Sequence, residues 1–172
     1  SKIGFVNMRG CRLSDVPEEA FEGENVKYLM SLDFSYNDLN DLPSSFNAVN
    51  MPYFYGLELS YNEFSKFPYE PLDCYGLTVF AIRGQRDKNG DRCLSEWPTG
   101  IYQHVGLRGF YIGSNNLGMI NDTISPLCYY LEISDNPDIV FDASGVCYEY
   151  SIGAYYLIYD KTQDVRGCEL ML

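Results

Sequence analysis

The sequence has no long apolar run and few basic side chains. No stretch approaches the roughly 18 consecutive apolar residues that span a bilayer, so we expect no membrane insertion in this chain. The chain has 12 Lys and Arg residues against 24 Asp and Glu residues, a net charge of −12. Nucleic acids and anionic membranes attract clustered positive charge, so this balance argues against both as partners.

The sequence also lacks the residue patterns that most enzymes and metal centres use. His104 is its single histidine, and none of its six cysteines forms a Cys-x-x-Cys pair. No Gly-x-Ser-x-Gly motif, phosphate-binding loop or metal-ligand cluster appears. We therefore expect no zinc site, no cofactor and no catalytic activity within this chain.

What the sequence does contain is a repeat. Two apolar residues flank one variable residue, and a polar turn residue follows five places after the first of them. The turn positions are Cys11, Asn37, Asn62, Gln85, Asn115 and Asn136. The apolar residues predict a short strand with alternate side chains directed inward. Parallel pairing of successive strands would stack those side chains into one core. The inward column would contain Leu32, Leu57, Phe80, Phe110 and Leu131.

The turn residues and the connecting segments also fit this arrangement. A buried Asn amide can donate to and accept from backbone groups of neighbouring turns. An apolar residue followed by proline recurs further along the repeat and would bend the chain toward its other side. These pairs are Val16–Pro17, Leu42–Pro43, Phe67–Pro68 and Trp97–Pro98. We expect short 3₁₀ or irregular turns on that side, with little long helix.

The motifs Leu-Asp-Phe-Ser-Tyr-Asn at Leu32–Asn37 and Leu-Glu-Leu-Ser-Tyr-Asn at Leu57–Asn62 resemble the leucine-rich-repeat family. The resemblance covers almost the whole chain. It implies an α/β solenoid, a right-handed horseshoe with a parallel concave sheet and a mostly irregular or 3₁₀ convex side. More narrowly, Asp135–Pro137 and Tyr159–Cys168 resemble the repeat region of surface lipoproteins of gut anaerobic bacteria. That likeness implies an extracellular or cell-surface binding protein, with the periplasm as an alternative.

The repeats predict how the chain is divided. We assign about six repeats to residues 1–145 and a final strand with a C-terminal cap to residues 146–172. Tyr155, Leu157 and Tyr159 alternate like that last strand. At the other end, Ile3 already lies in a repeat and no export signal precedes it, so we expect the array to be truncated at its N-terminus.

The variable strand residues would line the concave face. The candidate binding residues are Asp33, Ser35, Tyr36, Glu58, Ser60, Tyr61, Arg83, Tyr111 and Glu132. Tyr36 and Tyr61 occupy equivalent positions, and a strand spacing of about 4.8 Å would bring their rings into contact. Tyr is common at interaction hot spots, so the pattern predicts a protein-binding surface. The alternatives are lateral packing that stiffens the sheet, a glycan- or mucin-binding surface, and a rigid spacer.

Two shorter segments also suggest ligands. In the insertion Arg86–Arg92, Asp87, Asn89 and Asp91 offer oxygen atoms at alternating positions, as calcium prefers. Basic residues interleave with them, and Asn-Gly is equally a turn former, so we expect a turn with calcium as the alternative. Asn121–Thr123 is a glycosylation sequon by pattern, and we expect it to be only a loop.

The cysteines divide by their positions in the repeat. Cys11 and Cys128 occupy core slots, so we expect buried thiols there. A Cys147–Cys168 disulfide would close the cap, and a Cys74–Cys93 disulfide would tie down the insertion. Both bridges are hypotheses, because the distances between the Cα atoms decide whether they can form.

Overall fold

Seven strands of three residues each form one parallel sheet. The computed structural model describes residues 2–120, 128–142 and 156–166. Its strands are β1 (Phe5–Asn7), β2 (Ser31–Asp33), β3 (Gly56–Glu58), β4 (Val79–Ala81), β5 (Gly109–Tyr111), β6 (Met119–Ile120), β7 (Tyr130–Glu132), β8 (Val140–Asp142), β9 (Tyr156–Ile158) and β10 (Asp164–Arg166). The large sheet has the order β1-β2-β3-β4-β5-β7-β9. Each repeat therefore adds one strand, as the expected solenoid requires.

The central residue of every strand in this sheet points into the core. The register aligns these residues in one row. They are Val6, Leu32, Leu57, Phe80, Phe110, Leu131 and Leu157. The five middle members are buried, whereas Val6 and Leu157 at the two ends of the row are partly buried. The predicted inward column is confirmed.

A second, smaller parallel sheet was not predicted. It contains β6, β8 and β10, with β8 in the middle. These strands follow the turn residues of the later repeats, and Ile120 and Phe141 contribute to the core. The sixth repeat lacks the apolar residue two places after Asn136; Ile139, one place later, is buried in its stead. Alternation over two or three residues is indistinct, and these strands, unlike the equally short strands of the large sheet, follow the turn residues of the later repeats only, so no recurring motif indicated them.

The opposite side of the solenoid consists of turns. The helices of the described residues are 3₁₀ turns of three or four residues, at Glu18–Phe21, Val26–Tyr28, Glu70–Asp73 and Ile101–Gln103. This confirms the predicted irregular convex side. Within the same ranges, no helix has the length and apolarity needed to cross a bilayer.

Phenylalanine rings fill the space between the sheet and the convex turns. Phe80 lies between Phe67 and Phe110, with ring centroids 5.4 and 5.9 Å apart. Trp97, of the fourth apolar-Pro pair, packs edge-on against Phe110 at 5.7 Å. Its placement in the core agrees with the repeat pattern.

Buried side-chain amides at the turn positions join successive repeats, and we call this series the amide ladder. The Nδ2 atom of Asn62 donates to the carbonyl oxygens of Phe34 and Leu59 at 3.0 and 2.9 Å. Its Oδ1 atom accepts the backbone N–H of Leu39 at 3.0 Å. Two of these three bonds reach the preceding repeat, as predicted. The same pattern recurs at Asn37, Gln85, Asn115 and Asn136. Beyond the predicted positions, Gln163 donates to two carbonyl oxygens of the preceding repeat and accepts the Asp160 backbone N–H within its own turn.

Two of the cysteine predictions are wrong. Cys11 is exposed, because none of the described residues packs over that end of the first repeat. Cys74 and Cys93 are free thiols rather than a disulfide. Cys74 follows a convex 3₁₀ turn, whereas the Cys93 thiol lies 3.4 Å from the Phe64 carbonyl oxygen beside the insertion. Cys128 is buried as expected.

Two further predictions fall on other parts of the chain. The Cys147–Cys168 bridge and the sequon Asn121–Thr123 lie outside the described residues, as does Tyr155. The strands β9 and β10 continue the two sheets beyond residue 145. The proposed division between the repeats and a C-terminal cap stays a prediction.

The concave face as the candidate functional site

Two rows of side chains point outward from the seven-stranded sheet, one on each side of the inward column. Row A comes from the first residue of each strand: Phe5, Ser31, Gly56, Val79, Gly109, Tyr130 and Tyr156. Row B comes from the third residue: Asn7, Asp33, Glu58, Ala81, Tyr111, Glu132 and Ile158. The strand pleat dictates this arrangement. Four of the predicted binding residues therefore stand in row B, as two pairs on neighbouring strands.

The predicted serines support the acidic residues of row B rather than face a ligand. Ser35 and Ser60 are both buried. The Ser35 backbone N–H and Oγ donate to Oδ1 of Asp33 at 2.9 and 2.6 Å. The Ser60 backbone N–H donates to Oε1 of Glu58 at 2.8 Å. Each serine thus holds the carboxylate of its own strand in place.

Tyr36 and Tyr61 stack on each other, with ring centroids 4.4 Å apart. The Arg9 guanidinium lies 4.0 Å from the centre of the Tyr36 ring. On the other side, a Cβ atom at Gly84 would come within 2.6 Å of the Tyr61 ring, so the ring lies directly against the glycine. We call this series, Arg9–Tyr36–Tyr61–Gly84, the tyrosine ladder. Both tyrosine side chains are exposed, but neighbouring groups cover their ring faces, so their ring edges and hydroxyl groups remain for contact.

Arg83, Tyr111 and Glu132 form a cluster in the middle of the sheet. Nε of Arg83 binds Oε2 of Glu132 at 2.9 Å, and the guanidinium lies 4.5 Å from the centre of the Tyr111 ring. Glu132 also accepts the Gly113 backbone N–H at 3.2 Å and the Ser134 hydroxyl. Burial of Tyr111 raises the pKa of its hydroxyl. These contacts hold the arginine in one orientation on the concave face.

Exposed row A residues were missed by the sequence prediction. Phe5 is 66% exposed and Val79 is 42% exposed, although both are apolar. Tyr130 and Tyr156 stack at 4.8 Å with nearly parallel rings. The sequence could have indicated them, because each row A residue stands two positions before a row B residue. Side chains two residues apart in a strand point to the same face of the sheet.

The insertion forms the expected turn. Arg86 and Arg92 face each other in an antiparallel bridge, and Asp87 Oδ1 accepts the backbone N–H groups of Asn89 and Asp91 at 2.8 and 3.0 Å. Asp87 therefore closes the hairpin. Over the ranges that the structure describes, no group of three or more His, Cys, Asp and Glu side chains is placed to hold a metal ion.

His104 lies apart from the concave face. Its Nε2 atom donates to the Cys74 carbonyl oxygen at 3.1 Å, because a carbonyl can only accept. No nucleophilic side chain is within hydrogen-bond distance of this ring among the described residues. The arrangement is that of a core histidine joining two convex turns.

Two solved structures resemble the chain closely. A leucine-rich repeat protein from Bacteroides thetaiotaomicron VPI-5482 is 38% identical over 99% of this chain, with a TM-score of 0.95. A leucine-rich repeat protein from Bacteroides eggerthii DSM 20697 is 42% identical over 99% of the chain, with a TM-score of 0.94. The chain spans 21% of the first protein and 29% of the second. No protein-family model matches the chain, and no curated protein does.

Proposed function

The chain belongs to the leucine-rich-repeat family, and from that premise we propose that it is a non-catalytic binding module that recognises a protein through its concave face. The observation that carries the proposal is the contrast between the two sides of the sheet. The inward residues are uniformly apolar, whereas rows A and B vary in size and charge from strand to strand. Rigid side chains lose little entropy on binding, so such a frame suits recognition.

The frame is rigid for a physical reason. Buried amides such as Asn62 and Asn115 bind backbone groups of two repeats at once. On the concave side, Arg83 is held by both Glu132 and Tyr111. Immobilised arginine and tyrosine side chains are frequent hot-spot residues in protein interfaces. These features support a protein ligand.

We also propose that the protein is exported and acts outside the cytoplasm, on the cell surface or in secreted form. Its likeness to the repeat regions of bacterial surface lipoproteins and its similarity to two Bacteroides proteins support this location. Fractionation of the native bacterium with an antibody against the chain tests it. Recovery of the protein in the cytoplasmic fraction alone would contradict the proposal.

Glycan binding is less well supported than protein binding at the tyrosine ladder. Sugars stack on the faces of aromatic rings, and the faces of Tyr36 and Tyr61 are covered by Arg9, by Gly84 and by each other. A rigid-spacer role predicts no partner at all. A glycan array and the capture experiment below separate these alternatives from the proposal.

The test is affinity capture from the native environment, followed by direct binding of each captured protein in recombinant form. We expect Tyr111→Ala and Tyr130→Ala each to weaken the interaction about tenfold, because truncating a hot-spot residue costs 1 kcal/mol or more. Tyr75→Ala is the control, since Tyr75 is 82% exposed outside the concave face. Circular dichroism checks that each variant is folded. A partner that tolerates both concave substitutions but loses affinity with Tyr75→Ala would contradict the proposal.

A further inference from the structure

The concave face has a notch at its first four strands. In row A, the strand partners are Phe5, Ser31, Gly56 and Val79, in that order. The two outer residues are exposed and apolar, whereas Ser31 is small and Gly56 has no side chain. The notch therefore has a low floor between two apolar ends, which lie about 14 Å apart over three strand spacings.

Two carboxylates line one side of this notch. Asp33 and Glu58 are strand partners in row B, two residues beyond Ser31 and Gly56. Each uses one oxygen atom to accept the backbone N–H of the serine two residues later, just beyond the end of its strand. No bond from a described residue reaches the other oxygen. Neither carboxylate forms an ion pair with any described residue. The neighbouring Arg9 donates to Ser35 Oγ instead.

The pairing of these acids has a cost that a cation would offset. Like charges directly opposite each other on adjacent strands destabilise a sheet. The chain as a whole carries a net charge of −12, which attracts basic partners at long range. The acidic side of the notch thus favours a cation, whereas its two apolar ends favour an aliphatic group.

We propose that this notch receives a lysine or arginine side chain of the protein partner. The aliphatic stem lies over Ser31 and Gly56 between Phe5 and Val79, and the cationic head reaches Asp33 and Glu58. The rows are about 7 Å apart, two residues along a strand, which suits the long stem of a basic side chain. This inference rests on the proposed function and specifies the chemistry of the partner.

A basic side chain fits the notch better than a bare metal ion. Calcium requires six to eight oxygen ligands, and each carboxylate already uses one oxygen within its strand. The apolar side chains of Phe5 and Val79 also offer no ligand atom to a metal ion. A lysine or arginine side chain matches both parts of the notch.

The first experiment titrates the folded chain with Nα-acetyl-lysine amide and follows backbone amide shifts by NMR. We expect saturable shifts at Ser31, Gly56 and Glu58, with weaker binding at high salt. Nα-acetyl-norleucine amide, which lacks the charge, is the matched compound and should bind at least tenfold more weakly. Calcium chloride alone tests the metal alternative. Equal binding of norleucine, or saturation of these amides by calcium but not by lysine, would overturn the proposal.

Variants separate local contacts from net charge. The double variant Asp33→Asn/Glu58→Gln should weaken binding of the lysine compound about tenfold or more. Asp38→Asn/Glu63→Gln removes the same two charges outside the notch and should leave the affinity unchanged. Equal losses of affinity in the two double variants would show that net charge alone causes the effect, and this would refute the proposed binding site.

A third variant fills the notch and leaves the carboxylates intact. A Cβ atom at Gly56 would lie 3.2 Å from Ser31 Oγ. The side chain added by Gly56→Val would therefore occupy the space over Ser31 and Gly56 that we assign to the aliphatic stem. We expect it to weaken binding of the lysine compound about tenfold, while thermal unfolding shows that the sheet persists. Unchanged affinity would contradict the proposed path of the stem.

The captured partner distinguishes failure of the notch from failure of the proposed function. A partner that depends on Tyr130 but ignores Asp33, Glu58 and Gly56 would refute the notch and leave concave-face binding in place. A lysine compound that binds the notch, together with a partner that ignores the whole concave face, would refute the proposed function alone.

Discussion

At the scale of single residues, the amide side chains matter most for the fold. Asn62 satisfies three backbone groups that belong to two repeats, and it is almost completely buried. Replacing it with an apolar residue would leave those groups without partners in the core. A buried backbone group without a hydrogen bond costs about 1–3 kcal/mol. The free energy of unfolding therefore depends strongly on a side chain that touches no ligand.

We predict that Asn62→Ala lowers the free energy of unfolding by about 3 kcal/mol. Urea denaturation followed by circular dichroism measures the change. Asn40→Ala is the control, because Asn40 is exposed, and it should change stability by less than about 0.5 kcal/mol. Similar losses in the two variants would show that the amide ladder is not a main source of stability.

A left-handed backbone conformation marks the residue before five of the amides: Asn37, Asn62, Gln85, Asn115 and Asn136. Tyr36 and Tyr61 have φ values of 57° and 60°, in the left-handed region that favours glycine, and Gly84 has 63° at the equivalent position. Such a conformation costs non-glycine residues on the order of 1 kcal/mol. In the tyrosine ladder, ring stacking and the contact with Arg9 offset that cost. The ladder thus contributes to sheet stability whether or not it touches a partner.

At the scale of elements, the insertion fastens the fourth repeat to the two that follow. Arg86 donates to the Ser114 carbonyl oxygen at 2.6 Å. Arg92 donates to the Asn115 carbonyl oxygen at 2.8 Å and binds Oδ1 of Asp135 at 2.6 Å. The interleaved basic residues that weaken the calcium interpretation therefore have a structural role. The hairpin is a clamp across the turns that follow the carboxyl ends of β5 and β7.

The pKa of Asp135 provides a local probe of this clamp. Hydrogen bonds from Arg92 and from the Ser114 hydroxyl hold the pKa of the Asp135 carboxyl below its usual value of 3.8. Because the folded pKa is depressed, the contact stabilises the fold above pH 3.8 and loses its effect as the pH falls through the depressed value. Asp135 is exposed, so solvent screening keeps this contribution small.

We predict that Arg92→Ala raises the pKa of Asp135 toward 3.8, as measured by NMR of its carboxyl carbon. Lys88→Ala removes one positive charge from the exposed tip of the same hairpin and serves as the control. The control should leave the pKa of Asp135 nearly unchanged. An equal rise in both variants would assign the shift to general charge rather than to the clamp.

At the scale of the whole molecule, the core is continuous, but residues at the two ends of the repeat array are less buried than residues in its middle. Each repeat is covered by its neighbours, so burial is highest in the middle of the array. Cys74 and Cys128 are buried thiols, and burial raises their pKa values to about 12 and about 11. Cys11, at the first repeat, is exposed. The reactivity of each thiol therefore indicates whether neighbouring repeats bury that part of the solenoid.

We predict that, among Cys11, Cys74 and Cys128, Cys11 reacts fastest with iodoacetamide in the folded protein, as measured in variants that retain one cysteine each. The thiolate is the reactive form, so raising the pKa of Cys74 from 9.0 to about 12 lowers its thiolate fraction roughly a thousandfold. Unfolding in urea should bring the rates of Cys11, Cys74 and Cys128 close together. Rapid alkylation of Cys74 in the native state would contradict the continuous core.

The sequence by itself determined the period, the inward column and the amide ladder. These features repeat in phase, and each follows from local alternation and one hydrogen-bonding side chain, as at Asn37 and Leu57. The acidic pair Asp33 and Glu58 could likewise be placed side by side, because register follows from the repeat.

Only the tertiary structure decided which surfaces are covered. It exposed Cys11, kept Cys74 apart from Cys93, added the second sheet and covered the ring faces of Tyr36 and Tyr61. It also placed Phe5 and Val79 at the two ends of a notch. These outcomes depend on what packs against a residue from other repeats, and no local pattern contains that information.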